Sequence, residues 1–281
     1  MNSFDWNIVK HEGRRGDWIA VTLLAQWLED IGLLLNSSKT QVLFIRPRGV
    51  HDAPSSIYCR GQILETTRTA KYLGVIIDDE LSWRQHVHHI GKKATQAIGQ
   101  LWRHGRALSL RARKMWYVSL VQSHILYASN CFSPSLTSHL LQQLTKISKA
   151  GVRAIFQLPR RTPTGPLRAR LHLSSLQCMY RRKWLIFVFR CLHSSASGLF
   201  QNFFSLIADA APDDAGVRPL TRGQASRLLQ IPFLPNMSGR RTIQFWGSAL
   251  WNSLPEGSRL ADNIHFFKQS LAAIDVASLN T

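Results

Sequence analysis

Phosphate binding is the chemistry that the residue types of this sequence offer most plainly. Of its 35 lysines and arginines, 19 fall between residues 81 and 208, a stretch without one aspartate or glutamate. The other 16 balance the chain's 16 carboxylates, so the formal charge of +19 resides in one contiguous part. Like charges repel, and a solvated face ordinarily mixes signs. An acid-free stretch of this length points to a polyanion, with nucleic acid first and an anionic membrane surface second. The cations are grouped. Lys146, Lys149 and Arg153 recur at i, i+3 and i+7 on one helical face, opposite an apolar stripe of Leu140, Leu144 and Ile147. Arg103, Arg106, Arg111, Arg113 and Lys114 surround a helix junction, and Lys92-Lys93, Arg160-Arg161 and Arg181-Arg182-Lys183 add three clusters. Taken singly each is a solvated face. Together they read as a phosphate-holding surface, whose signature is a steep loss of affinity with salt.

Other chemistries find less support. His86, His88 and His89 have no companion cysteine or carboxylate nearby, so the pattern reads as a solvent-facing helix start rather than a metal site. Cys59, Cys131, Cys178 and Cys191 lie far apart with no C-x-x-C pair, which fits neither a zinc knuckle nor a disulfide scaffold and suits a reducing compartment. Asp213-Asp214 sits in a Pro/Gly connector and is rejected as a catalytic pair. Trp246, Trp251, Phe266 and Phe267 recur at helical spacing and are expected in a core rather than stacked on bases. The densest apolar run, residues 184–192, is interrupted by Arg190 and is too short for a bilayer. Residues 1–15 contain no apolar signal region, and an intracellular protein, cytoplasmic or nuclear, is expected.

The elements that must position these residues follow from periodicity. Residues 1–16 read as a polar, disordered lead-in. A helix begins at Asp17, its expected N-cap, carries Ile19, Leu23, Trp27 and Ile31 as a largely apolar stripe and stops at Gly32. Residues 41–45 are an apolar strand, 57–64 a hairpin turning at Gly61, and 71–77 a further strand. Residues 17–80 therefore form a small α/β unit. Everything beyond is helical: Val87, Ile90, Ala94, Ile98 and Leu101 keep the 3.6-residue period, and further helices are expected over 110–126, about 140–155 and 175–194. Pro-bearing connectors follow at 158–166 and 212–219. The tail forms a short helix around Phe245, Ala249 and Leu250, ended by Pro255. A last helix is expected to be capped by Asp262.

In this order the segments resemble the reverse transcriptases of LINE-type (non-LTR) retrotransposons. Trp27, then Gly32-Leu33-Leu34-Leu35-Asn36-Ser37-Ser38-Lys39-Thr40 and a strand, resemble the family's segment after its Y-x-D-D loop. Lys71-Tyr72-Leu73-Gly74-Val75-Ile76-Ile77-Asp78, with Leu81-Ser82-Trp83 and His86, resembles the block leading into the thumb. Trp251-Asn252-Ser253-Leu254-Pro255 with Phe267-Lys268 resembles a tail motif of such elements. The resemblance covers roughly residues 17–275. It implies an α+β fold: a small α/β remnant of a reverse-transcriptase palm (17–80), a mostly α-helical, basic, thumb-like domain (81–208), and a linker with a helical tail (209–281).

The resemblance also assigns roles. It places Lys39 near an incoming nucleotide's phosphates, where an ammonium would stabilise charge on departing pyrophosphate; the competing reading is an exposed turn lysine, with Asn36 capping the turn. Tyr72, Leu73 and Gly74 match the primer grip, glycine permitting close backbone approach; they also read as an ordinary sheet strand with Tyr72 and Leu73 in the core. Family catalysis needs two palm aspartates holding two Mg²⁺ ions. No Y-x-D-D occurs in this sequence, and the residues before the Trp27 helix contain no paired aspartates. Asp78-Asp79 falls at the strand-to-thumb position and is rejected as the catalytic pair. The resemblance thus implies a chain that holds RNA or RNA–DNA duplex and is inactive alone. It needs no cofactor by itself, Mg²⁺ belonging to the intact enzyme, and no membrane partner is expected. Three readings stay open: a truncated RNA-directed DNA polymerase, a non-catalytic RNA or RNA–DNA binding module derived from one, and a helical interaction protein. An uncovered apolar face on the α/β remnant is expected in any of them.

Overall fold

The computed structural model describes residues 7–11, 16–34, 36, 39–45, 58–59, 62–193, 204, 206, 227–232, 243–274, 276 and 279. The fold is α+β, mostly helical with a few small sheets. The chain forms two compact units, residues 1–90 and 91–281. Asp213-Asp214 and much of the expected linker lie outside the described residues.

The first unit is built on three parallel strands in the order β1-β2-β5: β1 (Asn7–His11), β2 (Gln41–Ile45) and β5 (Glu65–Thr67). β1 lies within the stretch expected to be a disordered lead-in, because pairing with β2 from Asn7↔Gln41 to His11↔Ile45 satisfies its backbone. Val42, Leu43 and Phe44 are all buried, the continuous pattern of a strand covered on both faces. A short hairpin joins β3 (Tyr58–Cys59) to β4 (Gln62–Ile63). Helix α1 (Gly16–Asp30) ends where Gly32 takes φ +77°, its N–H bonding Glu29 and that of Leu33 bonding Leu28. The apolar stripe is the uncovered side of this helix: Leu23, Trp27 and Ile31 are 63%, 53% and 50% exposed, and the buried face carries Ala25 and Leu28. Periodicity finds apolar faces; which one is covered depends on what packs there.

The expected strand over 71–77 is two strands. β6 (Thr69–Tyr72) pairs antiparallel with β7 (Val75–Asp78), and Leu73 and Gly74 turn between them at φ +45° and +82°. Positive φ at both central residues is what a tight hairpin needs to follow strand twist. Tyr72 and Leu73 consequently stand exposed at the tip, not in the core.

Behind β7, the buried Asp78 carboxylate gathers the chain into α2 (Arg84–His104): it accepts N–H bonds from Glu80 (3.2 Å), Ser82 (2.8 Å) and Trp83 (2.9 Å). These bonds hold Leu81 and Trp83 at φ +50° and +61°. His86 follows. Expected at a solvent-facing helix start, it is completely buried, its Nδ1 accepting the Ile76 N–H at 3.3 Å with Trp83 edge-on at 6.4 Å. Burial, aided by the charge of His89, lowers its pKa from 6.5 to about 4. Between those values the unfolded chain takes up a proton that the folded chain refuses, so stability rises with pH there. The His86 contribution is complete above about pH 6.5 and lost as pH falls toward about 4, at most about 3 kcal/mol. Denaturant unfolding of wild type and His86→Asn should diverge above that window and converge toward its acid end. Parallel pH profiles would show that His86 is not held neutral.

The second unit is helical. After a 3₁₀ turn (Gly105–Ala107), helix α3 (Leu110–Trp116) is capped by Ser109, whose hydroxyl accepts the Ala112 N–H. α3 continues through a π-helical turn (Tyr117–Gln122) into α4 (Ser123–Leu126), so the single helix expected over 110–126 is widened midway. α5 (Ser129–Phe132) and α6 (Ser138–Phe156, capped by Thr137) follow. α2 and α6 run side by side in the same direction. A Cβ on Gly91 would lie 3.0 Å from Ile147 Cδ1, one on Gly151 would lie 3.5 Å from Ile98 Cδ1, and Gln157 Nε2 bonds the Leu101 carbonyl at 3.2 Å.

Gly151 lets Tyr117 fill the space beside α6. A Cβ there would fall 2.5 Å from Tyr117 Cε2, and the ring is fixed by its hydroxyl's 3.0 Å bond with Ser148. Gly151→Ala should therefore cost about 1–3 kcal/mol by overpacking, read as a lower denaturant midpoint. An unchanged midpoint would mean that Tyr117 yields without loss.

α7 (Gly165–Leu171) leads to α8 (Leu176–His193), α9 (Ile243–Asn252), α10 (Glu256–Arg259) and α11 (Ile264–Ala273). One core joins α8 to the tail: Trp184, Leu185, Val188 and Phe189 are buried with Leu250, Trp251, Phe267 and Leu271. The tail motif now has a physical account. Trp251 Nε1 donates to the Arg227 carbonyl (2.9 Å), and the Asn252 amide bonds both Leu229 N–H and carbonyl at 2.8 Å each. The Arg259 guanidinium donates to the end carbonyls Asn252 (3.0 Å) and Leu254 (2.7 Å). Asn263, not Asp262, caps α11, accepting N–H bonds from His265 and Phe266. Trp251 and Phe267 are buried as expected and Trp246 partly so, packing edge-on against Trp184, but Phe266 is 60% exposed.

Candidate nucleic-acid interface

Four of the expected phosphate-binding cations meet around one groove in the helical unit. α2 supplies Thr95, Ile98 and Trp102, which share a face at i, i+3 and i+7. α6 supplies Lys146, Ile147, Lys149, Ala150 and Arg153, and the turn after it supplies Leu158 and Arg160. The groove encloses about 590 Å³. Gln157 ends α6 in the left-handed conformation at φ +55°, its N–H and that of Leu158 bonding back to Ala154 and Arg153. The Arg153 Nε then donates to the Thr162 carbonyl (2.7 Å), and Thr162 N–H bonds Pro159, which fixes the turn carrying Arg160. Lys146, Lys149 and Arg160 are exposed. With no carboxylate in the surrounding sequence to neutralise them, their fields add over the groove.

Other expected cations have different settings. Lys92, Lys93, Arg103, Arg106 and Arg111 are exposed, while Arg113 and Lys114 are half-buried on α3. Arg161 is exposed beside Arg160. The Arg181-Arg182-Lys183 cluster bonds within the chain. Arg181 donates to the Val276 (3.1 Å) and Leu279 (2.6 Å) carbonyls, Arg182 to Ser174 Oγ (3.0 Å), and Lys183 to the Leu126 carbonyl (2.6 Å). These bonds tie the three side chains to the chain's own carbonyls and hydroxyls, although Lys183 is exposed. Burial lowers the Lys183 pKa. Arg168 bonds Ser148 Oγ (3.1 Å), and Arg170 lies 5.7 Å over the Phe156 ring.

In the first unit, Lys39 is exposed on a turn organised by the Asn36 carbonyl, which accepts the Lys39 N–H (3.2 Å) and the Thr40 hydroxyl (2.7 Å). Tyr72, Leu73 and Gly74 form the exposed hairpin tip. Asp78-Asp79 does not fit a magnesium site, because the Asp78 carboxylate is buried and both its oxygens already accept backbone N–H groups. Asp78→Ala should strand those donors and cost at least about 2 kcal/mol, measured by denaturant unfolding. A variant as stable as wild type would remove this structural role.

Trp102 escaped the sequence reading because it falls within the apolar period of α2. The available signal was its place beside Arg103 and Arg106, an aromatic interleaved with cations.

The groove lining combines the apolar Ile98, Trp102, Ile147, Ala150 and Leu158 with the cations Lys146, Lys149, Arg153 and Arg160, chemistry that suits an anionic ligand with an aromatic or apolar body. The chain is 27% identical over 152 residues, 53% of its length, to the probable RNA-directed DNA polymerase from transposon BS of Drosophila melanogaster. The aligned residues span 17% of that protein's length. The similarity supports a reverse-transcriptase-like relationship. No protein-family model matches the chain, and no solved structure does. Among the described residues, no helix is long and apolar enough to cross a membrane.

Proposed function

We propose that this chain is a truncated RNA-directed DNA polymerase of a LINE-type, non-LTR retrotransposon. In this reading it keeps parts that hold template and primer and lacks the aspartates that join nucleotides. Residues 17–80 correspond to part of the palm, with Lys39 near the nucleotide phosphates and Tyr72, Leu73 and Gly74 as primer grip. Residues 81–208 correspond to the thumb and 209–281 to the linker and tail. The observation that carries the reading is the acid-free helical stretch that assembles Lys146, Lys149, Arg153 and Arg160 around one groove. Its partners are RNA and RNA–DNA duplex, and its place is the cytoplasm or nucleus.

The physical work assigned to the chain is electrostatic. Phosphates settling against these cations displace condensed counterions, so affinity falls as a power of salt concentration. Titration of a labelled RNA–DNA duplex should show tight binding in dilute buffer and steep weakening with added salt. No binding in dilute buffer would overturn the holding role. In the intact family enzyme Mg²⁺ supplies the phosphoryl-transfer chemistry. The sequence holds no Y-x-D-D, and among the described residues the Asp78-Asp79 pair does not fit, because Asp78 is committed to its own backbone. Primed poly(rA) with magnesium should therefore show no extension by the purified chain, and extension at an appreciable rate would refute the assignment.

A further inference from the structure

We infer that the groove between α2 and α6 receives an unstacked base of a single-stranded nucleic acid, with Trp102 as its stacking platform. The inference rests on the nucleic-acid-binding reading and adds the form of strand that the groove takes. A duplex presents phosphates to a protein and keeps its base faces stacked inside, so cations alone suffice to hold it. This groove has more than cations. Ile98, Trp102, Ile147, Ala150 and Leu158 give it an apolar and aromatic lining, which is wasted on phosphate oxygens and suited to the face of a base. Trp102 is 39% exposed although its neighbour Leu101 is completely buried, so the indole is presented at the surface.

The rest of the site fits one strand. Lys146 and Lys149 on one wall and Arg160 at the turn lie around the apolar floor, where the phosphates flanking a seated base would run. Gly99, on the same face of α2 between Thr95 and Trp102, has open space where a side chain would stand, which lets a strand approach the helix closely. The volume of about 590 Å³ lies within the roughly 300–1,000 Å³ of pockets that enclose small organic groups. No carboxylate of residues 81–208 opposes the anion.

The test compares a short labelled single-stranded oligonucleotide with the blunt duplex of the same sequence, by anisotropy at low salt, on the full chain. Trp102→Ala should weaken single-strand binding about 5- to 150-fold, the loss of one stacked base, and leave duplex affinity unchanged. Trp102→Phe, which keeps a π face, should retain most of the single-strand affinity. The unchanged duplex affinity, with an unchanged circular dichroism spectrum, reports that the variants are folded. Equal weakening of both ligands by Trp102→Ala, or weakening of neither, would overturn the inference while leaving the proposed holding role intact. Failure of the wild type to bind either ligand would instead remove that role and the inference with it.

Discussion

Trp251→Ala is expected to lower the stability of the helical unit by about 3–5 kcal/mol, the range for truncating a fully buried tryptophan. The indole is completely buried, 5.6 Å from Phe267 and 6.5 Å from Phe189 between ring centroids, so its removal opens a cavity where α8, α9 and α11 meet. It also removes the donor that satisfies the Arg227 carbonyl. The loss should appear as a large drop in denaturant midpoint followed by circular dichroism. The neighbouring pair supplies the contrast: Phe267→Ala should resemble Trp251→Ala, whereas Phe266→Ala, at a 60% exposed position, should stay within about 0.5 kcal/mol of wild type. Equal effects at Phe266 and Phe267 would mean that the tail does not share the α8 core.

The second large effect is on binding. Replacing Lys146, Lys149 and Arg160 together by glutamine should flatten the dependence of log affinity on log salt by about 2.7, at about 0.9 for each duplex phosphate that a cation no longer neutralises. Over a fourfold rise in salt, the wild type would then lose about 40-fold more affinity than the variant. All three side chains are exposed, so stability should change little. Arg181→Gln should behave the opposite way, because that guanidinium bonds the tail carbonyls Val276 and Leu279. It should lower stability and leave the salt slope alone. Identical slopes for the triple variant and wild type would remove the groove from the binding surface.

Much of this architecture is legible from local rules. The helical period put Val87, Ile90, Ala94, Ile98 and Leu101 on one apolar face and Lys146, Lys149 and Arg153 on a common face; the first five are buried and the three cations line one groove. Gly32 ended α1 because a helix terminus needs the positive φ that glycine supplies freely. The β6–β7 hairpin was missed for the converse reason: Leu73 occupies a left-handed position that its side chain disfavours, so no Asn-Gly or Asp-Gly pair announced the turn. His86 was misread because its burial comes from packing on β7, ten residues back, and not from its helical neighbours.

By itself the sequence determined the charge asymmetry, the succession of an α/β segment and a helical one, and the approximate ends of α1, α6 and α8, since each depends on residue type or on neighbours within one or two turns. Tertiary structure alone decided which cations face a common groove and which bind the chain's own carbonyls. Lys149 and Arg181 are both cations within long helices, and they differ because one lines the groove with Trp102 and the other bonds a tail carbonyl some 95 residues away. A cation's role follows from the groups that long-range packing brings to it, and that information resides in how helices meet.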